Sequence, residues 1–234
     1  MATASQAPPA PAEAERVAPP PSRRFHSGRE WIESLGNVPL DRIVFDPWPG
    51  TATEADLLAF CEGEPKRLCE LVDGTLVEKP VGFSEGRIAA ILLSRLEVFA
   101  SDHELGLVFG ADTTMRMKTI GRIRVPDVSF FSSNRLPDGK LPVEKVPALS
   151  PDLAVEVLSE SNTRAEMRQK LAEYFDNGTR LAWIIDPKTR TVAVHMDGTG
   201  EPATVLHEAD TLDGGEVLPG FQVNVAILFK DLPA

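Results

Sequence analysis

The chain of 234 residues has a formal net charge of −11, with 42% hydrophobic and 25% charged residues, a composition typical of a globular protein with one sizeable core. The acidic balance excludes a broad basic surface that coats nucleic acid, although it leaves room for a local basic groove. No apolar stretch reaches the ~18 residues of a membrane span, no signal peptide is apparent, and only two cysteines occur. We therefore expect a cytoplasmic protein with reduced thiols and no membrane partner.

Composition divides the chain into three parts. Residues 1–27 begin with a stretch dominated by Ala and Pro that has no apolar periodicity, which predicts a disordered tail. Residues 28–66 predict an N-terminal arm with short helices, and Thr53 in "TEADLLAF" starts one of them with a capping-box-like pattern. Apolar patterning tightens from residue 67, so we expect one folded domain over residues 67–234.

The first half of this domain predicts a hairpin, a helix and further strands. "RLCELVDGTLVEKP" favours two short strands around the turn Asp73-Gly74. "SEGRIAAILLSRLEVFASDH" has the apolar spacing of an amphipathic helix. "LGLVFGADTTMRMK" and "GRIRVPDVSFFSS" predict strands.

The second half predicts a capped helix between strands. "LAVEVL" is typical of a buried strand, and Thr163 with Glu166 forms a capping box for a helix that runs to about Asn177, with Gly178 at its C-terminal cap. "RLAWIID", "TVAVHM" and "PATVLHEA" predict strands, and "LPGFQVNVAILF" is expected to close the sheet. Strands and helices mix without strict βαβ alternation, which predicts an α+β (mixed α/β) fold.

Two carboxylates lie in apolar strands. Glu156 interrupts "LAVEVL", and Asp127 begins "DVSFF". An unpaired buried charge costs several kcal/mol, so each acid needs a partner. A hard divalent ion such as Mg²⁺ between them would compensate both. The alternative for Glu156 is a structural ion pair with an arginine such as Arg124 or Arg168, and the alternative for Asp127 is a turn cap.

Three further residues are candidates for the same site. Lys170 follows Glu156 after a loop and about two helical turns, and a lysine beside a metal-bound water can orient or activate it. Tyr174 at i+4 shares the helix face of Lys170, and Glu70 could be a further ligand or a supporting partner. The alternatives are a solvated lysine, a core tyrosine and a surface strand glutamate.

These residues carry a family resemblance. Pro126-Asp127 followed by Glu156 in a second apolar strand resembles the PD-(D/E)xK nuclease superfamily, although Leu158 stands where that motif has lysine. The chain is more closely similar to the Uma-two family of endonucleases, in which the lysine lies on the following helix. The matching segments are "CELVDGTLVEKP", "RVPDVSFF", residues 151–187 and "LPGFQVNV", which together cover most of residues 65–230.

The resemblance implies a restriction-endonuclease-like core, a central mixed β-sheet flanked by helices, and Mg²⁺- or Mn²⁺-dependent hydrolysis of phosphodiester bonds in nucleic acid, DNA in the first place. Asp127, Glu156 and Glu70 would hold the metal, and Lys170 would join them as a catalytic residue. The family often has a histidine before its first long helix, where this chain has "GFSEGRI". Cutting both strands of a duplex favours a homodimer. The alternative is a nuclease-like fold without catalysis that serves as a binding or assembly module.

Overall fold

The computed structural model of the protein describes residues 25–80, 82–118 and 122–232. The tail predicted over residues 1–27 lies almost wholly outside them. Residues 28–66 contain α1 (Gly28–Ser34), a 3-10 turn (Leu40–Arg42) and α2 (Glu54–Glu62). The capping box at Thr53 is present. Among the described residues, no helix is long and apolar enough to cross a membrane.

The rest of the described chain contains two longer helices and twelve strands, joined by loops and short 3-10 turns. The helices are α3 (Phe83–Asp102) and α4 (Arg164–Asp176). The strands, in chain order, are β1 (Cys69–Val72), β2 (Thr75–Glu78), β3 (Gly106–Gly110), β4 (Met115–Arg116), β5 (Ile123–Arg124), β6 (Val128–Ser132), β7 (Leu153–Val157), β8 (Leu181–Asp186), β9 (Thr191–His195), β10 (Thr204–Leu206), β11 (Thr211–Asp213) and β12 (Gln222–Asn224).

The strands of the described residues form a large mixed sheet and two smaller antiparallel ones. The large sheet has the order β10-β9-β8-β7-β6-β3, in which β7 and β8 are parallel and the other pairs antiparallel. A small sheet has the order β2-β1-β5-β4, and its predicted hairpin turns at Asp73-Gly74, both with positive φ as a type I′ turn requires. The predicted mixed α+β fold with a helix-flanked mixed sheet is confirmed.

The structure confirms strands in two of the predicted segments but divides each between two sheets, and it contradicts the predicted closing strand. "LGLVFGADTTMRMK" divides into β3 of the large sheet and β4 of the small one, and "GRIRVPDVSFFSS" divides likewise into β5 and β6. "LPGFQVNVAILF" does not close the large sheet, because β12 pairs with β11 in a separate two-stranded sheet. Continuous apolar runs do not reveal where a strand leaves one sheet for another, since side chains are buried on both sides of the bend.

Helices cover both faces of the large sheet, and the side-chain alternation of β7 decides what each helix meets. Leu153, Val155 and Val157 point to the face that α3 covers, in the main apolar core. Ala154 and Glu156 point to the opposite face, towards α4. Glu156 therefore avoids the apolar core and lies where α4 can supply polar partners.

Candidate active site

Asp127 lies at the bend where the chain leaves β5 and enters β6, opposite the end of β7. Its backbone N–H donates to the Val155 carbonyl at 2.9 Å. One carboxylate oxygen, Oδ2, accepts a 2.7 Å hydrogen bond from the Val157 backbone N–H. The other oxygen, Oδ1, lies 3.0 Å from Lys79 Nζ. With its side chain 13% exposed, Asp127 faces solvent more than Glu70 or Glu156 does.

Glu156 is almost fully buried, and its two carboxylate oxygens face different partners. Oε1 accepts hydrogen bonds from the Tyr174 hydroxyl at 2.6 Å and from Lys170 Nζ at 3.1 Å. Oε2 lies 3.2 Å from Lys79 Nζ. The predicted geometry in which α4 folds back over the strand and directs Lys170 at Glu156 is present. The arginine partner considered as the alternative is replaced by two lysines, and Arg124 binds other acids.

Tyr174 is held neutral by these surroundings. Burial raises the pKa of its hydroxyl well above the ordinary value, and the negative charges of Glu156 and Glu70 raise it further. The neutral hydroxyl acts as a hydrogen-bond donor to Glu156, whose carboxylate can only accept. Its position one turn after Lys170 on α4 explains why both reach the same carboxylate oxygen.

Glu70 on β1 lies on the inner side of the site. Its Oε1 accepts from the Val125 backbone N–H at 3.1 Å and lies 2.9 Å from Lys170 Nζ. Its Oε2 accepts from Arg124 at 2.8 Å. Burial alone would raise the pKa of Glu70, but the charges of Lys170, Arg124 and Lys79 outweigh it and hold that pKa well below its usual range. Glu70 is therefore ionised throughout the physiological pH range.

Lys79, one residue past β2, was not among the predicted site residues. Its ammonium donates to the Val125 carbonyl and lies between Asp127 Oδ1 and Glu156 Oε2. Burial by itself would lower its pKa, but the charges of Asp127, Glu156 and Glu70 raise it above the ordinary value. A signal existed in the sequence: Glu70 pairs with Val77 across the hairpin, and alternation places Lys79 on the same face as both.

Arg124 and Arg122 extend the site into a chain of alternating charges. Arg124 binds both carboxylate oxygens of Glu173 on α4 as well as Glu70. Arg122 also binds Glu173 and donates two hydrogen bonds to the Asp73 carboxylate in the hairpin turn. These contacts tie the small sheet to α4. Isolated buried charges are costly, and such a chain is tolerated because nearly every oxygen has a partner.

The donor set can be tested for its fit to a divalent metal. Mg²⁺ binds hard oxygen ligands and commonly uses one or two protein carboxylates, with water and substrate phosphates completing its shell. Asp127 and Glu156 each turn one oxygen to a shared position, and the Lys79 ammonium shows that this position suits a cation. Within the described residues, no group of three or more His, Cys, Asp or Glu side chains converges as a metal site. Asp127 and Glu156 nevertheless supply two hard oxygen ligands of the type that Mg²⁺ prefers. A metal ion can reach their shared position only when Lys79 moves away.

A mixed sheet between two helices, with acids at adjacent strands, is the arrangement expected of a restriction-endonuclease-like nuclease fold. The family comparison agrees: the model of the Uma2 family, described as "Putative restriction endonuclease", matches residues 55–226. This match covers well over half of the chain, which therefore belongs to the Uma2 family, and membership supports a nuclease-like function.

Solved structures show the same fold. The crystal structure of "a putative nuclease belonging to DUF820" from Anabaena variabilis ATCC 29413 is similar with a TM-score of 0.62 and 20% sequence identity. The alignment covers 75% of this chain and 96% of that one. No functionally curated protein matches the chain in sequence.

Proposed function

We propose that the protein is a metal-dependent endonuclease that hydrolyses phosphodiester bonds of nucleic acid, with DNA as the expected substrate and Mg²⁺ or Mn²⁺ as cofactor. One observation carries the proposal: Asp127 and Glu156, on adjacent strands of a nuclease fold, each direct one oxygen to a common cation position. Bound there, the ion would polarise the scissile phosphate and lower the pKa of the attacking water.

The residues of the chain hold the two ligands in place. The Val157 backbone N–H fixes Oδ2 of Asp127, and Tyr174 with Lys170 fixes Oε1 of Glu156. Each carboxylate is thus oriented before any ligand binds, which reduces the cost of binding and reaction. Asp127, the more exposed acid, marks the side from which a phosphate approaches.

Glu70 and Lys170 act from the inner side in this proposal. Glu70 binds Arg124 and Lys170, and Lys170 joins Glu70 to Glu156. We assign Lys170 to the orientation of Glu156, because its side chain is only 2% exposed. Its direct action on the attacking water, and the role of Glu70 as a third ligand, stay predictions from the resemblance. A homodimer that cuts both strands belongs to the proposal on grounds of symmetry.

The experiment compares the parent with Asp127→Asn on plasmid, linear duplex, single-stranded DNA and RNA, each with Mg²⁺ or Mn²⁺. We expect cleavage by the parent and a loss of at least about 100-fold in the variant, because one of two charged ligands is removed. Asp112→Asn is the matched control, since Asp112 pairs with Lys66 at the exposed surface. Full cleavage by folded Asp127→Asn would contradict the proposal.

The second candidate function is a nuclease-like fold that binds nucleic acid or protein without catalysis. It is favoured by the ion pairs that already occupy Asp127 and Glu156 and by Leu158 at the motif's lysine position. This function predicts that the parent and Asp127→Asn bind a labelled duplex with equal affinity in the presence of a chelator. Neither protein should cleave the duplex when metal is added. Metal-dependent cleavage by the parent would reject it.

A further inference from the structure

Lys79 occupies the centre of the proposed metal position. An ammonium carries three donors, and the Lys79 ammonium has three acceptors: the Val125 carbonyl, Asp127 Oδ1 and Glu156 Oε2. Its side chain is 6% exposed. This lysine is therefore a fully coordinated counter-ion inside the site.

The oxygens that hold Lys79 are the ones on which the proposed function depends. The remaining oxygens, Asp127 Oδ2 and Glu156 Oε1, are engaged by Val157, Tyr174 and Lys170. A divalent cation that used Asp127 Oδ1 and Glu156 Oε2 would meet the Lys79 ammonium within a few ångströms. Two cations at that distance repel strongly in a medium of low dielectric constant, so they cannot share the position.

We propose that Lys79 is an internal counter-ion that holds the metal position and is displaced by the divalent cation, so that competition with this lysine sets the metal affinity of the site. The proposal rests on the metal site of the proposed function and adds a residue that controls its occupancy. The competition is between two positive charges for the same pair of oxygens.

The placement of Lys79 permits its departure. The lysine follows β2 of the small sheet, whereas Asp127 precedes β6 and Glu156 lies in β7 of the large one. Its flexible four-carbon stem can therefore move without any change in the strands that hold the two acids. The partly exposed Asp127 opens the way to solvent. Lys170 differs, because it lies between Glu70 and Glu156 in the interior and contacts the other oxygen of Glu156.

The experiment is calorimetric titration of Mn²⁺ into the parent, Lys79→Met and Lys66→Met. Methionine keeps an unbranched side chain and removes the charge. We expect Lys79→Met to bind Mn²⁺ about tenfold more tightly or better, because the ion no longer has to break two buried ion pairs. Lys66 pairs with Asp112 at the surface, and its variant should bind like the parent. An unchanged or weaker affinity of Lys79→Met would overturn the proposal.

Loss of Lys79 removes one counter-ion from both Asp127 and Glu156 and leaves Glu156 with Lys170, so the metal-free variant should melt at a lower temperature than the parent. Added Mn²⁺ should raise that melting temperature more in Lys79→Met than in the parent, since tighter binding to the native state stabilises it more. Lys79→Arg, which retains the charge, covers the case in which the methionine variant does not fold. It should bind Mn²⁺ no more tightly than the parent, and tighter binding would overturn the proposal.

Cleavage assays separate this inference from the proposed function. Mn²⁺-dependent cleavage by the parent, together with an unchanged affinity in Lys79→Met, overturns the competition and leaves the nuclease intact. Tighter Mn²⁺ binding in Lys79→Met, without cleavage of any substrate by the parent, supports the competition and overturns the nuclease.

Discussion

Tyr174 is the single tyrosine of the chain, so its ionisation can be observed without interference from another tyrosine. Burial and the charges of Glu156 and Glu70 raise the pKa of its hydroxyl well above 10. A hydroxyl whose folded-state pKa is raised contributes stability below its unfolded pKa, and that stability is lost as the pH rises above it. Tyr174 should therefore resist ionisation for as long as the protein stays folded.

We predict that the absorbance change of tyrosinate near 295 nm is missing around pH 10 in the folded protein and appears only when alkali unfolds the chain. Circular dichroism followed in parallel reports the folding. The same titration in concentrated urea is the control, and it should give the ordinary pKa of a tyrosine hydroxyl, near 10. A tyrosinate step near pH 10 in the folded protein would mean that Glu156 does not hold the hydroxyl as described.

Single residues also show where prediction from sequence stops. The contact between Glu156 and Lys170 could be predicted from the sequence, because both residues lie in one short segment. A strand, a loop and a capped helix fix their separation there. Lys79 is distant from them in sequence, and a lysine at the end of a strand is ordinarily solvated. Its burial follows only from the packing of the hairpin against the large sheet, which no local pattern encodes.

At the scale of elements, the N-terminal arm is fastened to α4 beside the site. Arg42 makes two hydrogen bonds to Glu166 at 2.7 and 2.9 Å, the Thr163 hydroxyl donates to the Gly36 carbonyl, and Gln169 donates to the Ser34 carbonyl. The same Glu166 forms the capping box of α4. The arm therefore supports the start of the helix that carries Lys170 and Tyr174.

Gly36 makes this close approach possible. It has φ +78°, and a Cβ there would lie 2.5 Å from the Glu166 Cα atom. We predict that Gly36→Ala lowers the free energy of unfolding by about 2 kcal/mol or more, because it adds backbone strain and a contact with a backbone atom that cannot rotate away. Urea denaturation measures the change.

Gly28→Ala is the matched control for this prediction. Gly28 opens α1, and an added Cβ there meets no atom within 4 Å. Alanine favours the helix over glycine, so this variant should be as stable as the parent or slightly more so. Equal stability of the two alanine variants would show that the arm does not approach α4 this closely.

The elements themselves were predictable where their signals were local. The hairpin turn, the capping boxes at Thr53 and Thr163 and the length of α4 follow from residues a few positions apart. The division of "GRIRVPDVSFFSS" between two sheets was not, since residues 122–126 and 128–131 on either side of Asp127 are all buried. The bend between β5 and β6 puts Asp127 opposite Val155 and Val157. This bend, which the sequence did not predict, therefore determines where the site lies.

At the scale of the whole molecule, the net charge of −11 limits how many phosphates the surface can neutralise. Several of the basic residues are occupied in buried ion pairs and cannot reach a phosphate; they are Arg42, Arg122, Arg124 and Lys170. We predict that binding of a labelled duplex, measured by fluorescence anisotropy between 50 and 200 mM KCl without divalent ions, depends weakly on salt. The slope of log K against log salt should stay below about 4 in magnitude.

A slope of about 6 or more would contradict this prediction, because it would require a basic groove with many phosphate contacts. Lys140→Gln, at an exposed position, should leave the slope nearly unchanged if the few contacts cluster around Asp127.

The division of the described strands into three sheets also belongs to the scale of the whole molecule. It could not be predicted from the sequence, because which strands pair depends on contacts that span the whole chain.

The alternating charges around the site also constrain how the sequence can change among relatives. Loss of Lys79 removes the counter-ion of Asp127 and leaves Glu156 with Lys170 only, and loss of Arg124 leaves Glu70 with Lys170 and Glu173 with Arg122. Single replacements are therefore unfavourable, and a paired replacement of an acid and a base keeps the balance of charge. We expect these positions to covary in Uma2 sequences, so that a relative without a basic residue at position 79 has also changed an acid or depends on its metal for folding.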